Sequence, residues 1–252
     1  MRLDEEYCLS EYVDLGRLGD NEKVHIVRNQ VNGVIGVRKY VALDLEEIYL
    51  FLKENPNAYI PKIYECIQTD TNLIVIEEYL SGKNLEEMLK EKYFSEKDAA
   101  DIIICLCNAL YPLHHAKMPV ICRDLKAENV ILTNEGEVKL VDFDIARIYQ
   151  PGKSKDTVMM GTQGYAAPEQ FGFGQTDART DIYAMGVLLN YMLVREFPME
   201  KLTEGKFRTI VLKCIKINPE DRYQNVDELK ADICNAAEIP CSSMDSDKNK
   251  FY

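Results

Sequence analysis

The sequence predicts an α+β protein of two lobes: a small antiparallel five-stranded sheet with one helix, then a larger, mainly helical part. Three observations predict it. Up to residue 79 apolar residues come in short β-rich runs, two of them separated by Asn32-Gly33; beyond Ser81-Gly82 helix-start signals take over; and 252 residues suffice for one large or two small units with sizeable cores.

Lys23 to Asn29 and Val34 to Leu43 are the β-rich runs, and Asn32-Gly33 between them suits a tight hairpin turn. In Asp44 to Lys53, Leu45, Ile48 and Leu52 recur at helical spacing, and Asn55-Pro56-Asn57 stops that helix. Two more short strands are expected around Ile63 to Thr69 and Asn72 to Tyr79. Asn84 with Glu87, Ser95 with Asp98 and Asn225 with Glu228 each combine an N-cap side chain with an acid three positions on, so three helices begin there. The Ser95 helix carries Ile102, Leu106, Leu110 and Leu113 as a core stripe. A short hairpin, Val130 to Thr133 and Glu137 to Val141 around Asn134-Glu135-Gly136, interrupts the helices. The expected division is 1–79, 80–240 and a polar tail over 241–252 that is expected to be disordered, with the space between lobes as the default ligand site.

With 46% hydrophobic and 29% charged residues, the chain has the composition of an ordinary globular enzyme, which excludes disordered, collagen-like and coiled-coil classes. Thirty Lys+Arg against forty-two Asp+Glu leave a net charge of −12, with no segregated basic patch, so no nucleic-acid partner is expected. The eight cysteines form no CxxC pair, and several lie in apolar runs such as Ile102 to Cys107, which suits reduced, buried thiols. An acidic N-terminus and the lack of an ~18-residue apolar stretch argue against a signal peptide or membrane span. A cytoplasmic location is expected.

The most specific stretch is Cys122-Arg123-Asp124-Leu125-Lys126-Ala127-Glu128-Asn129, followed thirteen residues beyond Asn129 by Asp142-Phe143-Asp144. Phosphoryl transfer needs a carboxylate to orient the attacking hydroxyl, oxygen ligands for a divalent ion and cations for phosphate charge. Asp124, the pair Asn129 and Asp142, and Lys126 supply these in turn. With Val37-Arg38-Lys39 on a strand, Gly161-Thr162, Ala167-Pro168-Glu169, Asp181-Ile182-Tyr183 and Arg222, all in order, the sequence from about residue 12 to about 236 resembles the eukaryotic-type (Hanks-type) serine/threonine protein kinase family, in the manner of a small freestanding bacterial kinase domain.

The resemblance implies the bilobal protein kinase fold, ATP with Mg²⁺ (Mn²⁺ as a substitute), and protein substrates with serine or threonine acceptors. It implies that Asp124 and Lys126 are catalytic and that Asn129 and Asp142 hold the metal ion. Lys39 would hold the ATP phosphates, itself positioned by a carboxylate from the following helix; Glu47 is favoured, and Glu46 stays open because the spacing fits either. Glu78 to Leu80 would meet the adenine through backbone groups, between Val24, Val37 and Ile131. Thr157 and Ser154 would be regulatory phosphorylation positions served by Arg123 and Arg147, whereas Thr162 is read as structural, with Asp124 and Lys126. Glu169 and Arg222 are read as a buried tie, Asp181 as the anchor beneath the catalytic loop, and His114 and His115 as its support.

Four departures from the pattern stand out. In the phosphate-covering loop Arg17, Gly19 and Glu22 occupy the glycine positions, so only Gly19 survives. Cys122 replaces the histidine before Arg-Asp, and Asp144 replaces a glycine. Glu77 stands where an apolar residue is usual at the back of the nucleotide pocket, and a carboxylate there needs a cation near Lys39. Arg17, Glu22, Cys122 and Asp144 motivate one alternative, a catalytically inactive scaffold; a small-molecule phosphotransferase on the same scaffold comes after it, and the full Gly161 to Glu169 segment speaks against that.

Overall fold

The β-rich runs at the start of the chain pair into one antiparallel sheet. The computed structural model describes residues 3–19, 22–152, 161–172 and 174–240, and the chain divides into two units, residues 1–81 and 82–252. In chain order the first unit contains α1 (Leu3–Ser10), β1 (Tyr12–Arg17), β2 (Val24–Asn29), β3 (Ile35–Val41), α2 (Glu46–Glu54), β4 (Ile63–Gln68) and β5 (Leu73–Glu78). The sheet order is β1-β2-β3-β5-β4, so β3 and β5 are neighbours inside it. The hairpin between β2 and β3 turns where Asn29 Oδ1 accepts hydrogen bonds from the amides of Val31 (2.9 Å) and Asn32 (3.1 Å), and Gly33 takes a φ of 76°. α2 buries Ile48, Tyr49 and Leu52 and leaves its polar side to water. The helix α1 is an addition to the sequence expectation, because LDEEYCLS carries no apolar stripe at helical spacing that would announce it.

The second unit contains β6 (Gly82–Asn84), α3 (Leu85–Glu91), α4 (Glu96–His114), β7 (Val120–Ile121), β8 (Val130–Thr133), β9 (Val138–Leu140), β10 (Arg147–Ile148), α5 (Ala178–Val194), α6 (Phe207–Cys214) and α7 (Val226–Ala237). The three N-caps lie where the sequence puts them: the side chains of Asn84, Ser95 and Asn225 accept from the amides of Glu87 (2.9 Å), Asp98 (3.1 Å) and Glu228 (2.9 Å). Ile102, Leu106, Leu110 and Leu113 of α4 are all buried, as the stripe predicts. α4 packs against α7, and α5 against α6. The second contact is tight at Gly186, where a Cβ would overlap Cys214. Among the described residues no helix is long and apolar enough to cross a membrane.

β8 and β9 form the short hairpin, with Val130 opposite Leu140, and the Val141 amide bonds the Asn129 carbonyl at 2.9 Å to extend the ladder by one step. This extension sets the site: Asn129 enters the hairpin at the same end at which Asp142 leaves it. β10 pairs with β7, Arg147 opposite Ile121, so the chain after Asp142 returns to the strand that feeds the catalytic loop.

Candidate active site

In the second unit, one small cluster gathers Asp124, Lys126, Asn129 and Thr162. Asp124 Oδ1 accepts the Thr162 hydroxyl at 2.6 Å; its Oδ2 accepts the Asn129 amide at 3.0 Å and lies 2.8 Å from Lys126 Nζ. Lys126 also donates to the Thr162 oxygen at 3.0 Å, and Asn129 to the Asp124 carbonyl at 2.9 Å. Each contact joins a carboxylate or hydroxyl to a fixed donor, so the Asp124 carboxylate is oriented from both oxygens. The structural reading of Thr162 is what these distances describe.

Asp181 holds the loop from below. Its Oδ2 accepts from the Cys122 amide (2.9 Å) and its Oδ1 from the Arg123 amide (2.8 Å), and His114 Nε2 lies 2.8 Å from Oδ2. The loop accepts one unusual conformation in exchange: Arg123 has a φ of 69°, and so does Asp142. Left-handed backbone at two non-glycine residues is costly and persists only where the surroundings over-determine it. The Cys122 departure is explained here. The Cys122 side chain is fully buried and burial pushes its thiol well up, but the loop's support runs through its backbone amide, which any residue supplies.

Asn129 is 6% exposed, and because its Nδ2 is engaged by Asp124 the amide oxygen is the end suited to a cation. Asp142 accepts from the Asp144 amide through Oδ1 at 3.1 Å, so the residue replacing glycine at 144 braces Asp142 through its own backbone. An amide oxygen and a carboxylate at one hairpin end are hard ligands of the kind Mg²⁺ takes.

The segment beyond is tied down at its far end. Gln170 donates to the Arg123 carbonyl (2.9 Å) and accepts the Ala167 amide (3.0 Å), a contact that the sequence reading missed. Its only signal was its place beside Glu169. Gly161 (φ 155°) and Gly164 (φ 92°) allow the chain to pass closely, since a Cβ would lie 2.6 Å from Ala166 Cβ and 2.8 Å from the Phe197 ring. Arg222 and Glu169 form a two-pronged pair at 2.7 and 2.8 Å, and the Thr180 hydroxyl donates to Glu169 at 2.8 Å. The remaining Arg222 donors go to the carbonyls of Lys216 (2.7 Å), Arg179 (3.0 Å) and Ile217 (3.1 Å). All five guanidinium N–H groups are therefore used.

Arg123 is buried and Arg147 half-buried on β10. Thr157 and Ser154, the expected phosphorylation positions, lie outside the described residues, as does the tail from 241. Ile131 is half-buried on β8.

In the first unit, Val24 opens β2 opposite Lys39, Val37 is 4% exposed on β3, and Glu78 and Leu80 are half-buried at the end of β5 and just beyond it. Gly19 is exposed with a φ of 69°, and a Cβ there would meet nothing within 4 Å. Glu22 is paired with Arg17 at 3.3 Å, so two of the departures from glycine neutralise each other. The expectation for Lys39 needs a correction: the carboxylate 2.6 Å from its Nζ is Glu77 of β5, whereas on the first turn of α2 Glu47 stands exposed and Glu46, the alternative, is half-buried. The reason is register, since Val37 faces Glu77 and Lys39 faces Val75.

Residues 29–246 match the protein kinase domain family. The chain belongs to the protein kinase family. Curated relatives of this kinase domain include a serine/threonine-protein kinase PknB of Mycobacterium tuberculosis, 28% identical over 92% of this chain and 43% of its own length. A probable serine/threonine-protein kinase PknB of Corynebacterium glutamicum is 32% identical over 63% of this chain and 29% of its own length. A probable serine/threonine-protein kinase of Clostridium perfringens is 32% identical over 66% and 27%. The chain thus spans less than half the length of these relatives.

Proposed function

We propose that this kinase domain transfers the γ-phosphoryl group of ATP to serine or threonine hydroxyls of proteins, itself included. The observation that carries the reading is the Asp124 cluster: a carboxylate held at both oxygens, 2.8 Å from Lys126 and beside Thr162, at the end of the hairpin that bears Asn129 and Asp142. In a loose phosphoryl-transfer transition state, positioning and charge do most of the catalytic work. Asp124 orients the acceptor hydroxyl and receives its proton at a carboxylate oxygen. Lys126, shared between Asp124 and Thr162, offers its ammonium to the phosphoryl oxygens. Lys39 binds the ATP phosphates, and Val24, Val37 and Ile131 with the Glu78 to Leu80 backbone receive the adenine.

Mg²⁺ is the proposed ion, with Asn129 Oδ1 and the Asp142 carboxylate as its protein ligands. When bound it neutralises phosphate charge. Arg123 and Arg147 are proposed to receive a phosphate on Thr157 or Ser154. The substrates are proposed to be proteins in the cytoplasm; the acidic balance and the seven free cysteines among the described residues support that compartment.

The test is incubation of the full chain with γ-labelled ATP, Mg²⁺ and a generic basic protein, followed by phosphosite mapping. Label should appear on serine and threonine, at a turnover on the order of 1–100 s⁻¹ for a competent substrate. Asp124→Ala should abolish it with the circular-dichroism spectrum unchanged. Equal labelling by wild type and Asp124→Ala would overturn the reading.

A further inference from the structure

Strand register brings together two ionisable side chains that the family pattern keeps apart. Lys39 on β3 stands opposite Val75, and Glu77 on β5 stands opposite Val37, so all four side chains project from one face of the sheet and Lys39 reaches Glu77 along the diagonal. The Nζ to Oε1 distance is 2.6 Å, with the two side chains 13% and 8% exposed. Neither strand is an edge: β3 is bonded on both sides by β2 and β5, and β5 by β3 and β4. A charge this buried is strongly disfavoured without its counter-ion, so each of the two holds the other in place. The partner is borne by a neighbouring strand and involves no helix.

We infer that Glu77 is the positioning residue of Lys39: a strand-borne carboxylate that fixes the direction of the ammonium. This deepens the proposed function and rests on it for the role of Lys39 at the ATP phosphates. An ammonium has three donors, and the contact with Oε1 engages one of them. Glu77 touches no reacting atom in this scheme. It sets the aim of a residue that does, and α2 need not move for Lys39 to be aimed.

Glu77→Gln keeps the shape and removes the charge; Glu77→Asp keeps the charge on a shorter stem. With the full chain, ATP, Mg²⁺ and a generic basic protein, Glu77→Gln should lower kcat/KM for ATP by at least about tenfold, mainly through KM, and Glu77→Asp should recover part of the loss. A second readout needs no activity: labelling of the Lys39 amine by an acylating reagent, followed by peptide mass spectrometry. Acylation requires an amine released from its ion pair, so Glu77→Gln should speed labelling at Lys39 by about threefold or more without speeding it at exposed lysines. If Glu77→Gln melts below the assay temperature, Glu77→Asp carries both measurements, with smaller shifts in the same directions. The inference is overturned if Glu77→Gln stays within about twofold of wild type in both readouts, or if Glu47→Gln produces the loss in kcat/KM that Glu77→Gln does not. A wild-type chain that transfers no phosphate overturns the proposed function instead, and the labelling arm still decides whether Glu77 governs Lys39.

Discussion

Two arginine–carboxylate pairs mark the extremes of this molecule. Arg17 and Glu22, at the turn between β1 and β2, meet at 3.3 Å with side chains 59% and 79% exposed; Arg222 and Glu169 meet at 2.7 Å with 0% and 6%. The chemistry is the same and the setting is opposite. In water the pair is screened and holds two long side chains at an entropic cost, so it contributes about 0–1 kcal/mol. In the interior both charges have lost their water and each is answered by the other, so removing one costs about 3–5 kcal/mol. The lesson is that the far end of the Gly161 to Glu169 segment is tied down by a buried pair, whereas the pair beside the β1 to β2 turn does little to fix it.

The comparison breaks most visibly at Arg222. Arg222→Met leaves Glu169 charged and buried, and urea unfolding should show a loss of about 3–5 kcal/mol. A loss under about 1 kcal/mol would place the buried pair in the same class as the surface pair. Next is Asp181→Asn, which keeps the shape but removes the charge to which two loop amides donate and which His114 faces; a stability loss of about 1.5–3 kcal/mol is expected, with a fall in kcat, since the Arg123 backbone loses its brace. Unaltered kcat in that variant would detach the anchor from the chemistry. Arg17→Ala should change stability by less than about 1 kcal/mol at low salt and by nothing measurable in 1 M salt. A larger, salt-resistant loss would mean that the loop is braced after all.

A separate expected effect is a pH effect at Cys66 on β4. Burial pushes this thiol up to about 11 from its ordinary value of 9.0. The folded form therefore favours the protonated thiol, a contribution that is complete below pH 9 and lost as pH rises through about 11. The denaturation midpoint of wild type should fall between those pH values by slightly more than that of Cys66→Ala. Parallel curves would remove Cys66 from the alkaline transition.

Much of this architecture was legible because it is local. Asn84, Ser95 and Asn225 announce helices by a side chain and an acid three residues apart, and the Asn32-Gly33 turn aligns β2 with β3. The catalytic loop was legible for another reason: Asp124, Lys126 and Asn129 lie within six residues, so one strand-flanked loop presents them together. What stayed hidden depends on distance along the chain. The sequence pointed Glu77 towards a cation near Lys39 but favoured a helix carboxylate, Glu47 or Glu46, as the partner, because the register that decides it joins strands almost forty residues apart. Gln170 was passed over because a buried amide bonding two backbones has no residue pattern; only the fold reveals what it spans. α1 lacked an apolar stripe to read.

The thiols packed in the second unit carry one more consequence. Cys105, Cys107, Cys122 and Cys214 are buried beneath α4, the catalytic loop and the α5 to α6 seam, where Gly186 leaves no room for an added atom. Mild oxidants and alkylating agents find no thiolate there while the packing is closed. Each sulfur is thus a silent clock: the pace of its capture by a reagent in excess measures how often that part of the molecule breathes open.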